Sequence, residues 1–196
     1  MQINNIFTSF IAVEYLDINN QEMIDYTLDL KSKNKSVEQS NRVGWQSGHL
    51  DLSLSMFQPL FSKINIMAQK LHSDIGLKKD LDNKLTTAWV NVNNKSGFNV
   101  QHRHLNACLS GTYYLKGVES GANGNIVFKN PWIVDYHVPD NCIEEYTNVT
   151  SGAYSLPPEA GKLIMFPSWL EHYVEANTTD IDRISLSFDT KVHVYV

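Results

Sequence analysis

The sequence predicts an α+β protein, mainly β, in which N-terminal helices precede a run of strands that close into a barrel or sandwich. Apolar spacing is helical up to about residue 75 and alternating from residue 85 onward. Gly- and Pro-rich turns (VESGANGN, the KNPW corner, LPPEAG) then punctuate the alternating segments. The 196 residues suit a single domain that buries most of its apolar surface, and no internal repeat or low-complexity linker divides them. The expected organisation is one domain over 1–196, with an N-terminal strand and helices over 1–84 and a β core over 85–190.

Taken in order, IFTSFIAVEYL (6–16) reads as an opening strand. NNQEMIDYTLDLKS, from residue 19, has helical spacing in Met23, Tyr26, Thr27 and Leu30. SVEQSNRVGWQSGHLDL is turn-rich and predicts a surface wrap. Apolar residues at 57, 60, 61, 64, 67, 68 and 71 fit an amphipathic helix over 56–75, with Pro59 tolerated near its start. TTAWVNVNN then sets Ala88, Val90 and Val92 on one strand face, with Thr87, Trp89, Asn91 and Asn93 on the other. Further strands are expected at 98–104, 108–116, 124–128, 161–166 and 183–189. The stretch 129–159 is long and irregular, a length that in compact domains often carries function.

Bulk properties exclude some functions. A net charge of −5 and scattered Lys and Arg supply no basic footprint, which argues against nucleic acid as a partner. No apolar run is long enough to span a membrane, and the first residues lack a basic leader, so a cytoplasmic location is expected. Cys108 and Cys142 are accordingly expected to be reduced thiols.

The chemistry concentrates in three stretches. In QHRHLNACLSGTYYL (101–115), His102 and His104 are two apart, so on a strand both rings point to one side and can converge on one ion. Imidazole nitrogen binds a divalent metal at about 2.0–2.1 Å, but a lone His-x-His on a strand is more often an unliganded polar pair and needs a third ligand. His172, in GKLIMFPSWLEHYVEAN, is the candidate third ligand, presented by a turn after an apolar strand. In DRISLSFD, Arg183, Ser185 and Ser187 share a face. A buried arginine there needs an anion: a bound carboxylate, or a local acid such as Asp180, Asp182 or Asp189.

The order of these pieces resembles the Fe(II)/2-oxoglutarate-dependent oxygenases, and among them a small branch with HxHPxxxxSGxYYL, FPSWLxH and RxSxxF. Here the matching stretches are HRHLNACLSGTYYL, FPSWLEH and RISLSF, with GWQSG (44–48) similar to that branch's N-terminal part. The resemblance covers roughly residues 86–190. It implies a double-stranded β-helix, a jelly-roll, cupin-like barrel with the N-terminal helices packed on one sheet. It further implies that His102, His104 and His172 bind Fe(II) and form the catalytic centre. Arg183, Ser185 and Tyr114 would hold the co-substrate 2-oxoglutarate. The two tyrosines point to opposite faces, so only one can enter the pocket, and the resemblance favours Tyr114 over Tyr113 because prolyl-hydroxylase-like relatives use the second tyrosine of a similar YYL. Asn91 and Asn93 would line the interior.

The expected reaction couples decarboxylation of 2-oxoglutarate to succinate with hydroxylation of a C–H bond. The partners are dioxygen and a peptide or small-molecule substrate, and sheet edges leave room for a homodimer. One departure matters: the usual triad has a carboxylate where this chain has His104. Glu119 or Glu171 could then be the third ligand, with Asn106 supporting it. Three histidines also fit a thiol-type dioxygenase without 2-oxoglutarate, or a non-catalytic barrel that binds metal or a small acid. His49, His72, His137 and His193 match no metal motif, Trp132 and Trp169 are read as core or rim packing, and 129–159 is the candidate lid.

Overall fold

The computed structural model describes residues 2, 7–118, 124–132, 140–147 and 150–193. Eleven strands and two helices follow one another as β1 (Ala12–Tyr15), α1 (Gln21–Lys33), β2 (Asn41–Arg42), β3 (Trp45–Gln46), α2 (Gln58–Asp74), β4 (Asp82–Asn93), β5 (Phe98–His102), β6 (Leu109–Lys116), β7 (Ile126–Lys129), β8 (Ala153–Leu156), β9 (Lys162–Pro167), β10 (His172–Val174) and β11 (Arg183–His193). They form a six-stranded sheet, β1-β9-β6-β11-β4-β3, and a five-stranded sheet, β2-β5-β10-β7-β8. All strand pairings among the described residues are antiparallel, and from β4 to β11 the chain crosses between the two sheets at every step except the β7–β8 pair, in the manner of a jelly roll. The double-stranded β-helix expected from the sequence is the fold observed.

The helices cover one face of the larger sheet, α2 against β4 and α1 against β6. In α2 the stripe Leu60, Phe61, Ile64 and Ala68 is buried at helical spacing, and each large apolar side chain contributes roughly 1.5–3 kcal/mol. Pro59 sits in the first turn, where no intrahelical N–H is required of it. The helix stops at Gly76, whose φ of +82° lets the chain turn out while its N–H bonds Ser73 O at 3.1 Å. At the start of α1, Asn20 ties the helix to β6: its Nδ2 donates to Leu115 O (3.0 Å) and Tyr113 Oη donates to its Oδ1 (3.0 Å).

The sheet's helix side carries Ala88, Val90, Val92, Tyr113, Leu115, Leu163, Met165, Ile184, Leu186 and Phe188, all buried in one cluster. Its other side faces the smaller sheet, where Tyr114, Ile126, Phe128, Ile164, Phe166, Leu170 and Val174 make a second cluster. This period-2 division is the one the alternation predicts. Two expectations need correction. The segment read as a surface wrap holds β2 and β3, which join different sheets, and its Trp45 and Gln46 are buried. The long irregular stretch contains β8, whereas the short turn expected after Pro167 is present and delivers His172 to the start of β10.

Candidate active site

The register of the larger sheet builds a polar inner surface. Across β4, β11 and β6, Asn93 pairs with Arg183, and Asn91 with Ser185, which also pairs with Tyr114. Trp89 and Thr112 flank Ser187 in the same way, and Ser110 lies opposite Asp189. Such polar rows can sit inside a β protein only where they are bonded to one another or serve a ligand.

Above this surface the three histidines meet. β10 runs beside β5, so His172 lies directly across from His102, and their ring centroids are 4.4 Å apart. His104 follows just after β5, with its N–H on Ser168 O (2.9 Å) and its ring 5.3 Å from each of the other two. One nitrogen from each histidine lies within 4.8 Å of the others, close enough to share an ion. The three Nδ1 atoms are already committed, to Val100 O at 2.7 Å, Leu170 O at 2.9 Å and Asp189 Oδ1 at 2.6 Å. Those oxygens can only accept, so each Nδ1 bears the proton and each Nε2 keeps its lone pair. Burial, and then the neighbouring His102, push the His172 pKa down to about 3; burial likewise lowers His102. Both stay neutral at physiological pH, the state a metal requires.

Arg183 is 3% exposed and meets no carboxylate among the described residues. Its Nη1 donates to Gly124 O at 2.9 Å, and its Nε has no partner among them. The three acids that could have neutralised it are engaged elsewhere: Asp180 with Lys95, Asp182 with Lys31, Asp189 with His104. The salt-bridge reading of Arg183 is therefore set aside. A buried guanidinium without a counter-charge costs several kcal/mol, which a bound carboxylate would offset. The Tyr114 ring lies 5.9 Å from it, and burial raises that phenol to about 12, so it stays a neutral donor.

A cavity of about 710 Å³ connects these groups, lined by His102, His104, His172, Tyr114, Arg183 and Ser185 among others. Asn91 also lines it, bonded through Nδ2 to Ser187 Oγ (3.0 Å) with its Oδ1 unpartnered among the described residues. Asn93 is buried beside it, its amide turned to Asn99 Oδ1 at 3.3 Å. Glu171 accepts a bond from Gln101 (2.7 Å) on the outside and is not in the histidine group; Glu119 and His137 lie outside the described residues, as do parts of the candidate lid. Asn106 is exposed, whereas Asp189 supports His104. His49 stands on the cavity wall near Trp89 (ring centroids 6.3 Å apart), and Trp132 and Trp169 are about half exposed, not core. Asp189 was findable in the sequence: it continues the 183, 185, 187 face by one step.

A family model described as Putative 2OG-Fe(II) oxygenase matches residues 87–189, just over half of the chain. Curated proteins give no significant sequence match. Among solved structures, a Pseudomonas putida prolyl-4-hydroxylase is similar at a TM-score of 0.66 and 14% identity, covering 94% of this chain and 93% of its own. The epimerase SnoN from nogalamycin biosynthesis, solved with Fe3+, alpha ketoglutarate and nogalamycin RO, gives 0.67 and 17%, over 92% and 78%. A viral collagen prolyl hydroxylase from Paramecium Bursaria Chlorella virus-1, in a 2OG complex, gives 0.59 and 12%, over 93% and 96%.

Proposed function

From the premise that this chain belongs to the 2OG-Fe(II) oxygenase family whose model spans residues 87–189, we propose that it hydroxylates a C–H bond of a peptide side chain or small molecule. The chain is an oxygenase that uses Fe(II) and 2-oxoglutarate, which replaces the readings as a thiol-type dioxygenase or a non-catalytic barrel. The observation that carries the site assignment is the shared tautomer of three imidazoles, with Nε2 free on His102, His104 and His172, beside a buried arginine that lacks an anion. Both halves fit the absent groups: neutral nitrogen donors suit iron, and the guanidinium suits a carboxylate.

In this reading the three histidines would hold Fe(II) through their Nε2 atoms. Arg183 grips the distal carboxylate of 2-oxoglutarate through the open part of its fork, and Ser185 and Tyr114 add hydroxyl hydrogen bonds. Asn91 offers its unpartnered amide oxygen to whatever lies above the row. Apolar Phe166 and Ile126, which line the cavity, keep water from the co-substrate's stem. When bound, iron and 2-oxoglutarate together supply the oxidation: one oxygen atom of O2 enters succinate as carbon dioxide leaves, and the other enters the substrate C–H bond. The protein supplies orientation and charge. The similar prolyl hydroxylases support a hydroxylated peptide; SnoN, an epimerase, marks a different outcome on the same fold.

Incubation with Fe(II), 2-oxoglutarate, isotope-labelled dioxygen and proline-containing peptides or metabolite pools tests this. The expected result is succinate formation matched by one labelled oxygen in a product, abolished by His172→Ala. Labelled succinate with a substrate changed only by epimerisation or desaturation would reject hydroxylation. Residues 1–84 and 85–190 acting as one domain, and a cytoplasmic location, belong to the same proposal. Among the described residues no helix is long and apolar enough to cross a membrane.

A further inference from the structure

Of the three imidazoles, only His104 rests its Nδ1–H on a charged group. Val100 and Leu170 offer neutral carbonyls, while Asp189 Oδ1 stands 2.6 Å from His104. The carboxylate is held in turn: Ser110 Oγ donates to the same oxygen at 2.6 Å and lies 2.8 Å from Ser168 Oγ. Ser168 also accepts the His104 backbone N–H, and the Trp89 ring stacks on the imidazole at 5.7 Å. The His104 and Asp189 side chains are only 12% and 18% exposed, so solvent screens their contact weakly. Asp189 forms no ion pair with Lys or Arg among the described residues.

We propose that Asp189 is a positioning residue of the metal site: it fixes His104 with Nε2 inward and makes that imidazole a more anionic donor. Three neutral imidazoles alone would leave a bound dication uncompensated, and Asp189 supplies negative charge one step behind them. A carboxylate accepting Nδ1–H shifts electron density to Nε2 and strengthens the donor, and loss of such a partner typically weakens metal affinity about 10- to 100-fold. The inference rests on the three histidines being the metal ligands.

The test uses the full chain and Co(II) alone, whose d–d bands report the donor set without turnover. Asp189→Asn keeps an oxygen at the Nδ1–H and removes the charge. It is expected to weaken Co(II) about tenfold or more and shift the bands, with the metal-free melting temperature close to wild type. In a His104→Ala background the same change should cost nothing further. Wild-type-like affinity in Asp189→Asn, or an equal loss in both backgrounds, overturns the proposal. Should Asp189→Asn not fold, Ser110→Ala removes the carboxylate's anchor, and a several-fold weaker Co(II) site is expected; unchanged affinity and bands overturn the proposal. A wild-type chain that takes up no Co(II) would instead remove the three-histidine metal reading itself.

Discussion

His172 is 4% exposed and has two further imidazoles beside it, so protonating it would bury an unpaired cation. Its folded pKa of about 3 lies below the 6.5 of an ordinary imidazole. Between those values the unfolded chain binds the proton and the folded chain does not, so stability falls as pH drops through 6.5 toward 3. His102 shifts in the same direction, by burial first. Each can add up to about 1.4 kcal/mol per pH unit to that slope. The urea midpoint of metal-free protein should fall from pH 7 to pH 5, and the fall should shrink in His172→Asn; an undiminished slope in that variant would contradict the account. Proton competition for these two imidazoles also sets in below the 6.5 of an ordinary histidine. At this scale the sequence showed the three histidines that the fold clusters, because His-x-His and the later histidine come with recognisable neighbours. It did not single out Asp189 as the partner of His104, since a contact between residues 85 apart in sequence depends on strand register.

At the scale of the element, alternation made β4, β6, β9 and β11 legible, because each buries one face on the helices and turns the other to the cavity. Strands of two or three residues, β2, β3 and β10, carry no readable period, and they exist through pairing alone. That is why GWQSG looked like a wrap, although its Gln46, Ser47 and Gly48 reach the cavity wall. Gly111, in the SGTYYL stretch, shows what such a motif enforces. A Cβ there would overlap Ile164 O of β9 and the Phe188 ring of β11. Gly111→Ala should therefore destabilise by about 1–3 kcal/mol through overpacking, read as a lower urea midpoint. A change within about 0.5 kcal/mol, the range of ordinary surface substitutions, would mean that the neighbouring strands β9 and β11 give way there without cost.

For the whole molecule, the double-stranded β-helix brings three distant stretches to one mouth: residues after β5, the start of β10 and the inner face of β11. The order of those stretches in the sequence was enough to name the fold and the family, whereas cavity walls such as Gln39, His49 and Arg103 are announced by no motif. The central claim is that one cavity holds Fe(II) on three imidazoles and 2-oxoglutarate on Arg183. Anaerobic titration of metal-free protein with Fe(II) and then 2-oxoglutarate, followed by visible absorption, tests it without any knowledge of the substrate. The account predicts a saturable charge-transfer band, absent in His172→Ala. In Arg183→Ala iron should still bind while 2-oxoglutarate weakens at least about tenfold, since a hydrogen bond to a charged group is worth ~1.5–3 kcal/mol. Iron binding with no band, or an Arg183→Ala variant that binds the keto acid as wild type does, would contradict it.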